Sequence, residues 1–275
     1  MAKLACRTES MAKVWHGDVW IGAAAAYFVG SADDNELHAH YALQVCIALR
    51  GSFSVRDDDG RSHDVHGILI PSGKRHCVSN PTKATADTFM LFVEPNSDLG
   101  RLLFDAFPGL QQEMVPIDAD RLATMRHRLD ALLIEGGDRL VREMVSILTG
   151  GAWRHRAMDR RVAMALHHID SHLHEPDGLE HVANRLGISS RYLRKLFEQE
   201  IGLSPQRYRQ WSKLRQALAS IVAGASFTDG AAAGGFTDSA HFSRTFRDMF
   251  GAPPSMIFES SARRAQHFRA PSSDI

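Results

Sequence analysis

Residues 189–205 read SSRYLRKLFEQEIGLSP and residues 238–254 read DSAHFSRTFRDMFGAPP. Superimposed at an offset of 49 positions, Leu193, Phe197, Gly202 and Pro205 fall on Phe242, Phe246, Gly251 and Pro254. Each copy runs from a small or polar residue, through a helix with one apolar edge, to Gly-x-x-Pro. That is how a helix-turn-helix unit reads, and two of them imply a scaffold holding two reading helices.

Upstream of the first copy, Met158 to Leu173 predicts a helix with Val162, Leu166, Ile169 and Leu173 on one edge, ended by Pro176 and Gly178. Leu179 to Leu186 predicts a shorter one with Val182, Ala183 and Leu186 inward. Gly187 suits a left-handed helix end, and the Ser189 hydroxyl can cap the next helix. In that helix, from Ser190 to Glu198, Leu193, Leu196 and Phe197 turn inward, which leaves Arg191, Arg194 and Lys195 outward. Any surface helix can carry a solvated basic face. Here a short helix, a Gly turn and a capped start precede it, and arginine has the fork that fits guanine or phosphate.

Pro205 to Val222 predicts a long helix, with Pro205 at its favoured first position. Its stripe of Tyr208, Trp211, Leu214, Leu218 and Ile221 is long enough to touch both flanking units. As a spine it would hold the two reading helices about one DNA turn, ~34 Å, apart. The second unit opens at Ser226 to Thr228 and turns Ser239, Ala240, Ser243 and Arg244 outward, with His241 near the edge. Gly230, Gly234 and Gly235 lie in or beside its first helix, and an interior Gly costs roughly 1 kcal/mol relative to Ala. The expectation is a looser second unit.

The 275 residues suffice for two domains. The net charge of zero is a cancellation: residues 1–150 carry 15 Lys+Arg against 20 Asp+Glu, a net of −5, and residues 151–275 carry 17 against 12, a net of +5. A split of this size also arises by chance, so it supports the repeat without replacing it. Cys6, Cys46 and Cys77 have no paired spacing and fit a reducing, cytoplasmic setting. The most apolar stretch, Val19 to Gly30, is too short for a membrane span, and no targeting segment is read.

From Val14 to Val93 the chain is strand-like. Tyr41, Leu43, Val45, Ile47 and Leu49 alternate with Ala42, Gln44, Cys46, Ala48 and Arg50, one set on each face of a strand. Asp57-Asp58-Asp59-Gly60 and Ser72-Gly73 read as turns, and short strands at this spacing predict a sandwich or barrel. Beyond them come two helical stripes, Leu122-Met125-Leu129-Leu132-Leu133 and Leu140-Val141-Met144-Val145-Leu148, as an antiparallel pair. Gly150-Gly151 is the expected linker.

The segments LEHVANRLGISSRYLRKLFEQEIGLSPQRYRQWSKLRQAL and GGFTDSAHFSRTFRDMFGAPPS, within Met158 to Phe258, resemble the DNA-binding domain of the AraC/XylS family of bacterial transcription regulators. The resemblance implies recognition helices starting at Ser190 and Ser239. It places DNA contacts on Ser190, Arg191, Arg194, Lys195, Ser239, Ala240, His241, Ser243 and Arg244. Gly230 departs from the branched apolar residue usual in the family, and Met256-Ile257-Phe258 from its usual Tyr-Arg.

HAHYALQVCIALRG, residues 38–51, and GILIPSGKRH, residues 67–76, are similar to the cupin-like sensor domain many such regulators carry. In metal-binding cupins two His, a Glu and a further His converge on an ion. His38, His40 and His76 stand at the matching positions, with Gln44 nearest the Glu. His38, His40, Gln44 and Cys46 share a strand parity and so one interior. Two readings stand. The five residues His38, His40, Gln44, Cys46 and His76 form an effector-pocket wall, or the three histidines bind a metal, as a sensor or as a cupin enzyme. The neutral Gln44 favours the first. His63 and His66 read as surface residues, while Cys77 beside His76 raises a thiol or soft-metal sensor.

The sequence therefore predicts an α+β protein of two domains. Residues 10–97 form a cupin-like β-barrel sensor, 98–151 connecting helices and a dimerisation region, 155–260 an all-α double helix-turn-helix, and 261–275 a tail. No catalytic motif is found and no cofactor is expected: G-x-S-x-G, the Walker loop, G-x-G-x-x-G and HExxH are all absent from the sequence. The expected function is that of a cytoplasmic transcription regulator, activator or repressor. Its partners would be double-stranded DNA, a small-molecule effector, a second copy of the chain and RNA polymerase, with no membrane.

Overall fold

The computed structural model describes residues 15–79, 87–151, 158–175 and 179–261. Cys6, Pro176, Gly178 and the tail beyond residue 261 lie outside them. The N-terminal strands are β1 (His16–Ile21), β2 (Ala25–Ser31), β3 (Leu43–Ala48), β4 (Phe53–Asp57), β5 (Ser62–Val65), β6 (Gly67–Ile70), β7 (His76–Ser79) and β8 (Asp87–Val93). After them come α1 (Asp98–Ala106), a 3₁₀ turn at Pro108–Gln111, β9 (Val115–Pro116), α2 (Ala119–Glu135) and α3 (Gly137–Thr149). The C-terminal half is helical: α4 (Arg160–Ser171), α5 (Leu179–Arg185), α6 (Ser190–Ile201), α7 (Pro205–Val222), α8 (Phe227–Ala233), α9 (Ser239–Phe250) and α10 (Pro254–Ser261).

The strands make two antiparallel sheets, one ordered β1-β2-β8-β3-β6-β9 and one ordered β5-β4-β7. Cross-strand register lines up Val19, Phe28, Met90, Cys46 and Ile68 on the face turned toward the small sheet, where they join Phe53, Val55 and Val78. The opposite face carries Tyr27, Leu91, Val45 and Leu69, and α1, α2 and α3 cover it. This explains why every residue of β3 is buried although its sequence alternates. The apolar stripes of α2 and α3 are used against the chain's own sheet.

The closed barrel expected from the sequence is not formed. Among the described residues no strand of one sheet pairs with a strand of the other, and the single bridge between His38 and His76 ties β7 only to the segment before β3. Where closing strands would lie, the C-terminal helices enter: Leu214, Leu218, Phe242, Phe246, Ile257 and Phe258 belong to the same apolar cluster as the inner sheet face. The architecture is a two-domain α+β one whose halves share a core. Among the described residues, no helix is long and apolar enough to cross a membrane.

Matching caps underlie the sequence repeat. Ser189 accepts from the Tyr192 N–H at the start of α6 and Asp238 from the His241 N–H at the start of α9, while Gly202 and Gly251 end the two helices with φ of 79° and 68°. The spine reading of α7 matches the packing. Tyr208 and Trp211 near its start pack with α4, α5 and α6, and Leu214, Ala217 and Leu218 near its end pack with α8, α9 and α10.

The glycines of α8 do not act as the sequence suggested. A Cβ on Gly230 would overlap Ile221 Cγ1, and one on Gly234 would lie 2.5 Å from the Lys213 carbonyl oxygen, so both glycines let α8 settle closely on α7. The space a branched residue would fill at position 230 is taken by Ile221. The expected looseness is replaced by close approach. Gly230→Val should therefore cost about 1–3 kcal/mol by overpacking. Equilibrium unfolding would read this, and Ile221→Ala in the same chain should recover part of the loss.

Candidate functional site

The two capped helices each bury one edge and present another. In α6, Leu193, Phe197 and Ile201 are buried; Arg191 and Lys195 are exposed, and Ser190 and Arg194 are half-buried. In α9, Phe242 and Phe246 are buried; Ala240, His241 and Arg244 are exposed, and Ser239 and Ser243 are half-buried. All nine residues picked from the sequence are thus solvent-accessible to some degree, near the first turns of their helices. Sequence reasoning missed Tyr192, which is 45% exposed. The Arg161 guanidinium lies 5.5 Å from the centre of its ring and donates to its hydroxyl at 3.4 Å, and Arg161 is itself anchored on Asp159. An aromatic next to Arg191 on an otherwise polar face was the available signal.

A second cluster lies inside the N-terminal half. His38 and His40 sit in the segment leading into β3, Gln44 and Cys46 on β3, and His76 at the start of β7, so both sheets contribute. The ligating nitrogens of His38, His40 and His76 all lie within 4.8 Å of one another, and the three rings are buried. Each Nδ1 faces a backbone carbonyl two residues away: Glu36 at 2.8 Å, Ala42 at 2.9 Å and Lys74 at 2.9 Å. A carbonyl only accepts, so each Nδ1 carries the hydrogen and each Nε2 is left as a lone pair. Burial keeps the rings neutral, pushing His38 down to about 3 and His40 and His76 in the same direction. Gln44 Oε1 lies 2.9 Å from His40 Nε2 and 3.0 Å from His76 Nε2, and Gln44 Nε2 lies 2.9 Å from Cys46 Sγ. The five residues grouped from the sequence are brought together. His63 is half-buried and His66 exposed, outside this cluster, and Cys77, buried on β7, faces away from His76 by strand parity.

Between the two halves lies an apolar cavity of about 90 Å³. Phe28 and Phe92 from the sheet face Leu218, Phe246, Phe250 and Phe258 from the helices, with His38 and Gln44 on one side and Glu94 and Arg215 on another. His40, Cys46 and His76 lie behind this wall and do not line it. Glu94, at the end of β8, accepts from Arg215 Nη1 at 2.5 Å and from Trp211 Nε1 at 3.1 Å. The same Arg215 nitrogen donates to the Ala23 carbonyl at 3.0 Å, and the other lies 3.8 Å from Asp170, which also accepts from Tyr208 and Ser212. Burial raises the Glu94 carboxyl above its ordinary range, and the Arg215 charge pulls the other way. Neither member of this pair was singled out from sequence. Arg215 follows Leu214 beside the α7 stripe, four residues after Trp211, which was the only local hint.

A family model described as a helix-turn-helix domain matches residues 182–260. The HTH-type transcriptional regulator GbdR of Pseudomonas aeruginosa is 34% identical over 93 residues, 31% of this chain and 24% of that protein. The chain thus spans about a quarter of the length of GbdR. The HTH-type transcriptional activator RhaS of Citrobacter koseri is 26% identical over 203 residues, 70% of this chain and 72% of its own. Among solved structures, ToxT from Vibrio cholerae aligns with a TM-score of 0.57 at 10% identity, over 93% of this chain and 99% of that one. A ToxT structure with bound unsaturated fatty acid aligns at 0.53 and 10% identity, over 90% and 96%. At such identity the likeness is one of fold.

The geometry has two measurable consequences. Below the ordinary histidine value of 6.5 the unfolded chain takes up protons that the buried rings refuse, so the unfolded state binds more protons and stability is lost as the pH is lowered. The melting temperature should drop between pH 7.5 and pH 5.5; a flat profile would contradict the neutral, buried triad. Glu94→Ala leaves Arg215 without its carboxylate in the interface and should cost about 3 kcal/mol, measured by denaturant unfolding.

Proposed function

We propose that the chain, whose residues 182–260 match a helix-turn-helix family model, is a sequence-specific DNA-binding transcription regulator of the AraC family, controlled by a small, mostly apolar molecule held between its halves. In this reading α5–α6 and α8–α9 are two helix-turn-helix units within residues 155–260. Arg191, Arg194 and Lys195 supply most of the base discrimination, and Ser239, Ala240, His241, Ser243 and Arg244 dock a second groove segment more weakly. Ser190 would add a contact at the start of the first helix. Residues 10–97 serve as a cupin-like sensor of two facing sheets, and residues 98–151 connect it to the DNA-binding part.

One observation carries the reading. Helix α9 has two ends with different surroundings: Ala240, His241 and Arg244 reach solvent near its start, while Phe246 and Phe250 line the cavity near its end. Twelve residues of rigid helix therefore link a ligand wall to a DNA-facing surface. A molecule that fills the cavity in one arrangement of the halves and not in another shifts the population toward the first. DNA and ligand then favour each other's bound state to the same extent. ToxT, which shares the fold and has been solved with an unsaturated fatty acid, makes an apolar ligand a natural first choice. A second copy of the chain and RNA polymerase are the expected protein partners. In the helical layer Ile134, 88% exposed on α2, is the large apolar side chain left outward among the described residues.

A duplex recovered from a random pool by in vitro selection provides the probe. Arg191→Ala and Arg194→Ala should each weaken binding to it by roughly 1–3 kcal/mol and relax the base preference at one position. Fluorescence anisotropy showing unchanged affinity and unchanged base preference in both variants would rule out α6 as the reading helix.

A further inference from the structure

The cavity between the halves is aromatic where its wall meets a carboxylate. Phe250 sits amid a group of rings, with centres 5.6 Å from Phe92, 6.3 Å from Trp211 and 4.7 Å from Phe246, and all four residues line the cavity. Glu94 follows Phe92 by two residues, lines the same cavity and is only 6% exposed. Its Oε1 takes both side-chain donors, Trp211 Nε1 and Arg215 Nη1, and among the described residues no donor is bonded to Oε2. A buried carboxylate oxygen without a donor is costly, and a molecule in the cavity is placed to supply one.

The charges nearby decide what kind of donor fits. Among the described residues that line the cavity, Arg215 is the sole Lys or Arg. Its guanidinium is already shared among Glu94, the Ala23 carbonyl at 3.0 Å and Asp170 at 3.8 Å. Two carboxylates thus surround one guanidinium, which leaves one negative charge uncompensated. On the other side of the cavity, burial keeps His38 neutral, so it adds no positive charge. A carboxylate entering the cavity would be a third acid around one shared base. An ammonium would instead form a charge-assisted bond to Oε2, with electron-rich rings beside it.

We infer that the cavity selects a small amine in its protonated form, with the ammonium on Glu94 Oε2 among Phe92, Trp211, Phe246 and Phe250, and the apolar body toward Phe28 and Leu218. This rests on the reading of the cavity as a ligand site. It adds the charge of the head group, opposite in sign to that of a fatty acid.

Butylamine, butanol and butyrate share one short alkyl body and are positive, neutral and negative near neutral pH. Each is titrated into the full chain carrying isotope-labelled tryptophan, and the indole N–H resonance of Trp211, the group bonded to Glu94, reports binding at the site. Butylamine should bind at least about tenfold more tightly than butyrate, and more tightly than butanol. Glu94→Gln keeps the shape and removes the charge; it should weaken butylamine at least about tenfold and leave butanol within about threefold. The wild-type series needs no variant, so a Glu94→Gln chain that fails to fold leaves the comparison of the three probes decisive. Butyrate or butanol binding as tightly as butylamine would overturn the amine preference while keeping the cavity as a ligand site. Unchanged butylamine affinity in folded Glu94→Gln would overturn Glu94 as its partner. No shift with any of the three would overturn both the preference and the ligand site on which it rests.

Discussion

The structure depends on one shared apolar core. Phe28, Met90 and Cys46 on the inner sheet face and Leu214, Leu218, Phe246 and Phe258 on the helices belong to a single buried cluster, so neither half completes its packing alone. At roughly 25 cal/mol for each Å² of apolar surface removed from water, such continuity is the strongest available tie between two domains. It also explains why the sheets do not close on themselves. A barrel completed by its own strands would have no inner face left to offer α7, α9 and α10.

Polar contacts then fix how this greasy joint is set. Glu94 with Arg215 and Trp211 lies on one side of the cavity, and Glu36 with Arg247 lies beside the end of α9. In both ion pairs the acid comes from the first half and the base from the second. The −5 and +5 split of formal charge is thus partly expressed in contacts between the halves. The buried pair specifies register more than it adds stability, because desolvating two charges consumes most of their attraction. Exposed charges such as Arg191 and Lys195 are left for other uses.

Local signals were legible in the sequence and long-range ones were not. The cap at Ser189, the left-handed Gly187 and the apolar edges of α6, α7 and α9 follow from spacing within a dozen residues. Strand parity grouped His38 and His40 with Gln44 and Cys46, but β3 begins only at Leu43, so the two histidines reach Gln44 from the segment before the strand, and His76 was placed by resemblance. The Tyr192–Arg161 stack and the Glu94–Arg215 pair join residues 31 and 121 positions apart, the cavity joins residues farther apart still, and no periodicity encodes such meetings. The glycines of α8 illustrate the limit most clearly. Propensity treats Gly230 as a defect, whereas the defect vanishes once Ile221 of α7 occupies the place of the missing side chain.

Gly202 and Gly251 hold the same place in the two copies of the repeat, yet their surroundings differ. A side chain at position 202 would meet nothing within 4 Å, while one at 251 would run into Glu36 and His38. At the first position the constraint is only the left-handed backbone, which Asn can tolerate. At the second it is also the fit of a helix against a different domain. Two positions that match in the repeat therefore differ in tolerance: the first can exchange residues that accept a left-handed backbone, and the second is held in place by a neighbour from the other half of the chain.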